Sequence, residues 1–135
     1  DYDYRHSALK VRPDRRFLVL SAELALQQDE PSAIADRMAQ YVAHRKRTQP
    51  PGASLGSIFK NPPNDYAGRL IEAAGLKGYR IGDAQVSPVH ANFFINLGDA
   101  TASDYYALIQ HVRKVVEEQF GVKLEMEVEC VGEWD

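Results

Sequence analysis

The periodicity of this chain changes at Gly121. Before it, Leu108, Ile109, Val112, Val115, Val116 and Phe120 recur at helical spacing; after it, Val122, Leu124, Met126, Val128 and Cys130 alternate with Lys123, Glu125, Glu127 and Glu129. The first pattern predicts a helix over 103–120, capped by Thr101 or Ser103 and stopped by Gly121. The second predicts a strand with one core face and one wet face. A chain that carries both periods, with 135 residues to bury one ordinary core, is expected to be a single compact α+β domain.

The remaining elements follow from the same reading. From Phe17 onward, Leu18, Leu20, Ala22, Leu24 and Leu26 suit one face of a strand, and a helix begins near Pro31-Ser32 with Ile34, Met38 and Val42 as its apolar stripe. Pro50-Pro51-Gly52 breaks that helix, and residues 48–64 form a long loop of the kind that usually carries function. A second helix fits Asp65–Ala74 with Gly75 as its left-handed stop, and short extended pieces fit 79–81, 85–87 and 92–96. About three helices on a sheet of short strands is the expected architecture.

Charge and cysteine content exclude several classes. A net charge of −3 leaves no basic footprint for nucleic acid, and the His44–Arg47 cluster sits where cations oppose the negative end of a helix dipole. Cys130 is the lone cysteine, so an internal disulfide is ruled out, a reducing cytoplasm is the expected compartment, and the residue reads as core. His6, His44, His90 and His111 lack metal-ligand spacing, and no metal site is expected. No apolar run reaches the length of a membrane span. The chain opens at Asp1 without a methionine, which reads as a piece of a longer polypeptide. No phosphate-cradling glycine loop is present either, so redox chemistry cannot be read from the residues themselves.

Four positions could carry chemistry. Gly56-Ser57-Ile58-Phe59-Lys60-Asn61-Pro62 combines a glycine that admits a close approach with a hydroxyl, an ammonium and an amide, although the same residues also suit an ordinary turn. Lys77, between Gly75 and Gly78, suits a phosphate or a solvated surface turn. His90 precedes an apolar strand and reads as a ligand contact or a satisfied structural group. Glu127, flanked by Glu125 and Glu129 on a wet face, reads as a solvated carboxylate unless something covers it.

Taken together, YRHSALK, GSIFKNP, AGRLIEAAGLKGYRIGDAQVSPVHANFFIN and FGVKLEMEVECVG resemble, in order along nearly the whole chain, the C-terminal part of the UDP-N-acetylenolpyruvoylglucosamine reductases (MurB) in their shorter subtype. The resemblance implies a flavoenzyme of cell-wall peptidoglycan synthesis in which NADPH reduces bound FAD and hydride then reaches the enolpyruvyl double bond of a UDP-sugar, giving UDP-N-acetylmuramate. It implies that residues 1–16 are the exit from an N-terminal FAD-binding domain of the same polypeptide and that 17–135 form the UDP-sugar domain. Ser57 matches the proton donor and Glu127 the assisting carboxyl; Asn61, Lys77 and His90 match nucleotide-sugar contacts, with Lys77 suited to the pyrophosphate. Tyr4 and Arg5 match an entry motif. Where the family commonly has a basic residue before Gln-Pro, this chain has Thr48, so Arg45 or Arg47 is the expected stand-in. The family's catalytic arginine comes from the FAD-binding domain and has no counterpart here, so the chain alone is expected to be inactive. A non-catalytic nucleotide-sugar module, or the substrate domain of another FAD oxidoreductase, are the alternatives.

Overall fold

Arg5 turns the chain between its first two strands with a φ of 55°, a left-handed conformation rare outside glycine. In the computed structural model, which describes residues 2–9 and 17–133, β1 (Tyr2–Asp3) and β2 (His6–Ser7) form this small antiparallel hairpin. Of the expected exit segment, residues 1 and 10–16 lie outside the described residues. By its internal contacts the chain divides into two units, residues 1–38 and 39–135.

The strand expected from Phe17 is not formed. Residues 17–30 take no regular structure, and Leu18, Leu20, Leu24 and Leu26 are 75–86% exposed. An alternating pattern supplies an apolar face, but a strand also requires a neighbour for its backbone groups, and no described strand pairs with this segment. Helix α1 (Pro31–Thr48) forms where expected, with Arg45, Lys46 and Arg47 in its last turn, yet it buries none of its residues.

The second unit holds the layered structure. Strands β3 (Ser54–Ser57), β4 (Arg80–Ile81), β5 (Ala84–Val86) and β6 (Phe93–Asn96) form one antiparallel sheet in the order β3-β6-β5-β4. Helices α2 (Ala67–Ala73) and α3 (Ala102–Phe120) complete the expected α+β fold. Strand β3 falls inside the segment read as a loop. Ser54-Leu55-Gly56-Ser57 has no alternating pattern, and its pairing to β6 rather than propensity makes it a strand.

Helix α3 shows why sequence and structure agree here. The Thr101 hydroxyl accepts from Asp104 N–H while the Asp104 carboxylate accepts from Thr101 N–H, a reciprocal capping box. Leu108, Ile109, Val112 and Val116 are buried at i, i+1, i+4 and i+8, each contributing roughly 1.5–3 kcal/mol of apolar burial. Gly121 ends the helix at a φ of 67°. Helix α2 ends in a Schellman motif, with Gly75 N–H donating to Glu72 C=O and Leu76 N–H to Ile71 C=O.

The capping box also depends on Gly82. A Cβ at this position, whose φ is 55°, would lie 2.4 Å from Cγ of Asp104, the carboxylate that holds the cap. Gly82→Ala combines left-handed strain with loss of a cap and is expected to destabilise the fold by roughly 2 kcal/mol. Thermal unfolding of the variant measures this; an unchanged midpoint contradicts the assigned contact.

The last segment corrects two expectations. Instead of a strand over 122–130, a single bridge pairs Met126 with Phe59, flanked by Lys60 N–H donating to Glu125 C=O (2.9 Å) and Glu127 N–H to Ile58 C=O (2.8 Å). Pro62 and Pro63, which cannot donate, bound the partner segment on one side, and a bulge at Gly56 bounds it on the other. Leu124 is buried, but Cys130 is exposed and not core, because the ladder ends before reaching it.

Candidate functional site

Strand β3 carries a bulge immediately before Ser57. Ser54 pairs with Ile95 and Ser57 with Phe93, so three steps along β3 oppose two along β6, and Gly56 absorbs the extra residue at a φ of 77°. A bulge of this kind re-aims the side chain that follows it, here the Ser57 hydroxyl.

Ser57 lines an open cleft of about 430 Å³ with Asn61, Tyr66, Arg69, His90 and Asn92 among its walls. Asn61 is fixed there because its Oδ1 accepts from Ala67 N–H (3.1 Å), serving the first turn of α2 in place of the N-cap residue Tyr66, which makes no side-chain cap. His90 rests against α2 where Gly68 leaves room: a Cβ at 68 would come within 3.1 Å of the imidazole Cε1. The structure therefore brings Ser57 and Asn61, from one segment, together with His90 from another.

The other expected positions lie differently. Lys77 does not line the cleft, but its Nζ is 2.8 Å from Oε1 of Glu72, which does. The side chain of Glu127 is half-buried and not among the lining groups, although its backbone bond to Ile58 places it one residue along from Ser57. Arg45 is exposed near the end of α1, where it donates to Gln49 Oε1. Tyr4 belongs to the first unit, in the β1–β2 turn, with the Arg5 guanidinium 5.4 Å from its ring.

Sequence reading missed Tyr66, Arg69, Glu72 and Asn92. The first three carry a signal after the fact: with Ala67, Leu70 and Ile71 buried, positions 66, 69 and 72 fall on the opposite, wet side of α2. Asn92 carries none, since its partners are 33 positions away.

Charge in the cleft is balanced. Arg69 pairs with Asp65 one turn earlier, and this guanidinium holds the Asp65 carboxyl down at about 2. Glu72 is engaged by Lys77. Burial pushes the His90 pKa below its ordinary 6.5, opposed by a backbone hydrogen bond and reinforced by the nearby Lys77 charge. His90 Nδ1 accepts from Asn92 N–H (3.2 Å), so in the neutral ring the proton resides on Nε2, which is left as a donor.

The sign of the linkage follows. A histidine whose folded pKa is depressed contributes its full stability above 6.5 and loses it as pH falls through the lower folded value, because the unfolded chain then binds more protons. His90→Gln, which cannot titrate, is expected to flatten the acid limb of a stability–pH curve just below pH 6.5 and to leave the curve above 6.5 parallel to wild type. Denaturant melts across the pH range check this, and identical acid limbs contradict it.

The fold and cleft define a class: a small antiparallel α+β domain with an open cleft lined by mixed polar and aromatic side chains. The chain belongs to the UDP-N-acetylenolpyruvoylglucosamine reductase C-terminal domain family, whose model matches residues 47–131. It is 50% identical over 133 residues to a UDP-N-acetylenolpyruvoylglucosamine reductase of Chloroflexus aggregans, covering 96% of this chain and 44% of that protein. To one of Symbiobacterium thermophilum it is 53% identical over 118 residues, 85% of this chain and 38% of that protein. The solved reductase of Thermus caldophilus aligns with a TM-score of 0.66 at 44% identity, over 78% of this chain and 37% of that one. The chain thus spans less than half the length of these relatives.

Proposed function

We propose that this chain is the substrate-covering part of a reductase that converts UDP-N-acetylenolpyruvoylglucosamine to UDP-N-acetylmuramate in peptidoglycan synthesis, in the cytoplasm. The observation that carries the reading is the convergence of Ser57, Asn61 and His90 on one cleft. Residues 17–135 form the UDP-sugar domain, and 1–16 lead out of a flavin domain of the same polypeptide.

When bound elsewhere in the polypeptide, FAD reduced by NADPH would supply hydride to the enolpyruvyl double bond. No described residue of this chain is assigned to holding either group; both belong to the part of the polypeptide that this chain does not contain. What the chain contributes is the second half of the addition. Hydride arriving at the outer alkene carbon leaves negative charge on the carbon beside the substrate carboxylate, and that carbon must gain a proton. The Ser57 hydroxyl, aimed by the bulge, donates it. A serine is a weak acid, so fixed geometry and a positive field are required, and Glu127 assists from the segment bonded to Ile58.

The nucleotide end is held by hydrogen bonds and charge. His90 donates through Nε2–H as a neutral group, and Asn61 contacts the sugar. The pyrophosphate draws Lys77 from Glu72, and Arg45 or Arg47 replaces the basic residue that the family commonly carries at the Thr48 position. The assay is NADPH consumption by the complete polypeptide, with and without the enolpyruvyl sugar. Sugar-dependent consumption supports the reading, whereas consumption indifferent to the sugar favours another flavin oxidoreductase. This chain by itself is expected to show none.

A further inference from the structure

One residue is bonded, through its side chain and its backbone, to both of the segments that bring chemistry to the cleft. Asn92 is 4% exposed, immediately before β6. Its Oδ1 accepts from Phe59 N–H (3.0 Å), its Nδ2 donates to Phe59 C=O (2.8 Å), and its own C=O accepts from Ile58 N–H (2.9 Å). The amide therefore copies the donor and acceptor of a peptide and extends the β3–β6 pairing beyond the bulge that sets Ser57. In the other direction Asn92 N–H donates to His90 Nδ1 (3.2 Å). The loop that carries His90 is closed by Phe93 N–H donating to His90 C=O (2.9 Å) and by the buried Ser87, whose hydroxyl accepts from Val89 and His90 N–H.

We propose that Asn92 is the positioning residue of this cleft, holding the Ser57 segment and the imidazole of His90 in one fixed register. The inference rests on the reading of Ser57 as proton donor. An apolar side chain of similar size would fill the space, but it would leave the N–H and C=O of Phe59, a residue 1% exposed, buried without partners. Those groups would regain partners only if the 57–59 backbone shifted. A displacement near 1 Å at a reacting group is enough for a loss of about 10²-fold. Asn61 is anchored separately by Ala67 N–H, and His90 is held by the backbone N–H of Asn92, which a side-chain substitution retains, so substrate capture should suffer far less than the proton transfer.

The test uses the complete reductase polypeptide with Asn92→Leu and Asn92→Asp, the second keeping the acceptor for Phe59 N–H and losing the donor to its C=O. The expected order of kcat is wild type, then Asn92→Asp, then Asn92→Leu, the last lower by about 10²-fold with KM for the UDP-sugar within about threefold. Ser57→Ala in the same background separates the two ideas. If that variant turns over normally, the proton-donor reading has failed. If it collapses while the Asn92 variants that fold keep kcat within about threefold of wild type, the positioning role is overturned. Nitrogen resonances of the wild-type His90 ring supply a readout that needs no variant: protonation at Nε2 is expected, and protonation at Nδ1 contradicts the register.

Discussion

Ser57→Ala in the complete polypeptide is expected to lower turnover by about 10²–10⁴-fold, the range over which a positioned proton donor accelerates a reaction. The substitution removes a hydroxyl from a half-buried position and creates no large cavity, so folding should be little affected. Binding of the UDP-sugar should also persist, because Asn61 is fixed by Ala67 N–H and His90 by Asn92 N–H, neither of which involves the Ser57 hydroxyl. Steady-state rates of NADPH consumption check the size of the effect. A tenfold rise in KM at unchanged kcat would instead mean that Ser57 only holds the substrate.

The second large effect concerns stability. Phe94 is fully buried on β6, an interior strand between β3 and β5, and meets Phe59 edge-on with ring centroids 6.1 Å apart and planes at 78°. Phe94→Ala is expected to destabilise the fold by about 3–5 kcal/mol, through lost apolar transfer and the cavity left behind. A domain of this size has only about 5–15 kcal/mol in total, so the variant should lose a large share of its stability. The site should fail with it, since Asn92 and Phe93 precede Phe94 on the same strand edge. Chemical denaturation measures the loss, and a change under about 1 kcal/mol would mean that the β6 core relaxes around the gap.

How much of this was legible beforehand depended on whether the cause was local. Helix α3 was readable because its cap, its stripe and its glycine stop are neighbours in sequence. Helix α2 was readable within two residues for the same reason. The segment 122–130 had a pattern as clear as any, yet it forms one bridge, because a strand depends on its partner and the partner here is bounded by two prolines and a bulge. The 17–26 segment misled in the same way. Strand β3 had no pattern at all and exists through pairing.

The site divides along the same line. From the residues alone, Ser57 suited a turn hydroxyl and His90 a satisfied structural group. Only the family resemblance linked them, and the fold brings both to one cleft. The polar side of α2 could have been found from its buried positions, which leave Tyr66, Arg69 and Glu72 facing the other way. Asn92 could not, because nothing near it in sequence shows that its amide meets the backbone of Phe59.

The cleft as the UDP-sugar site is tested most directly by titrating UDP-N-acetylglucosamine into the complete polypeptide labelled with nitrogen-15 at histidine. This chain contributes His6, His44, His90 and His111 as separate reporters. The His90 Nε2 resonance should move in proportion to occupancy while His111 stays in place. If the sugar binds and His111 moves while His90 does not, the ligand lies elsewhere and the cleft is not its site.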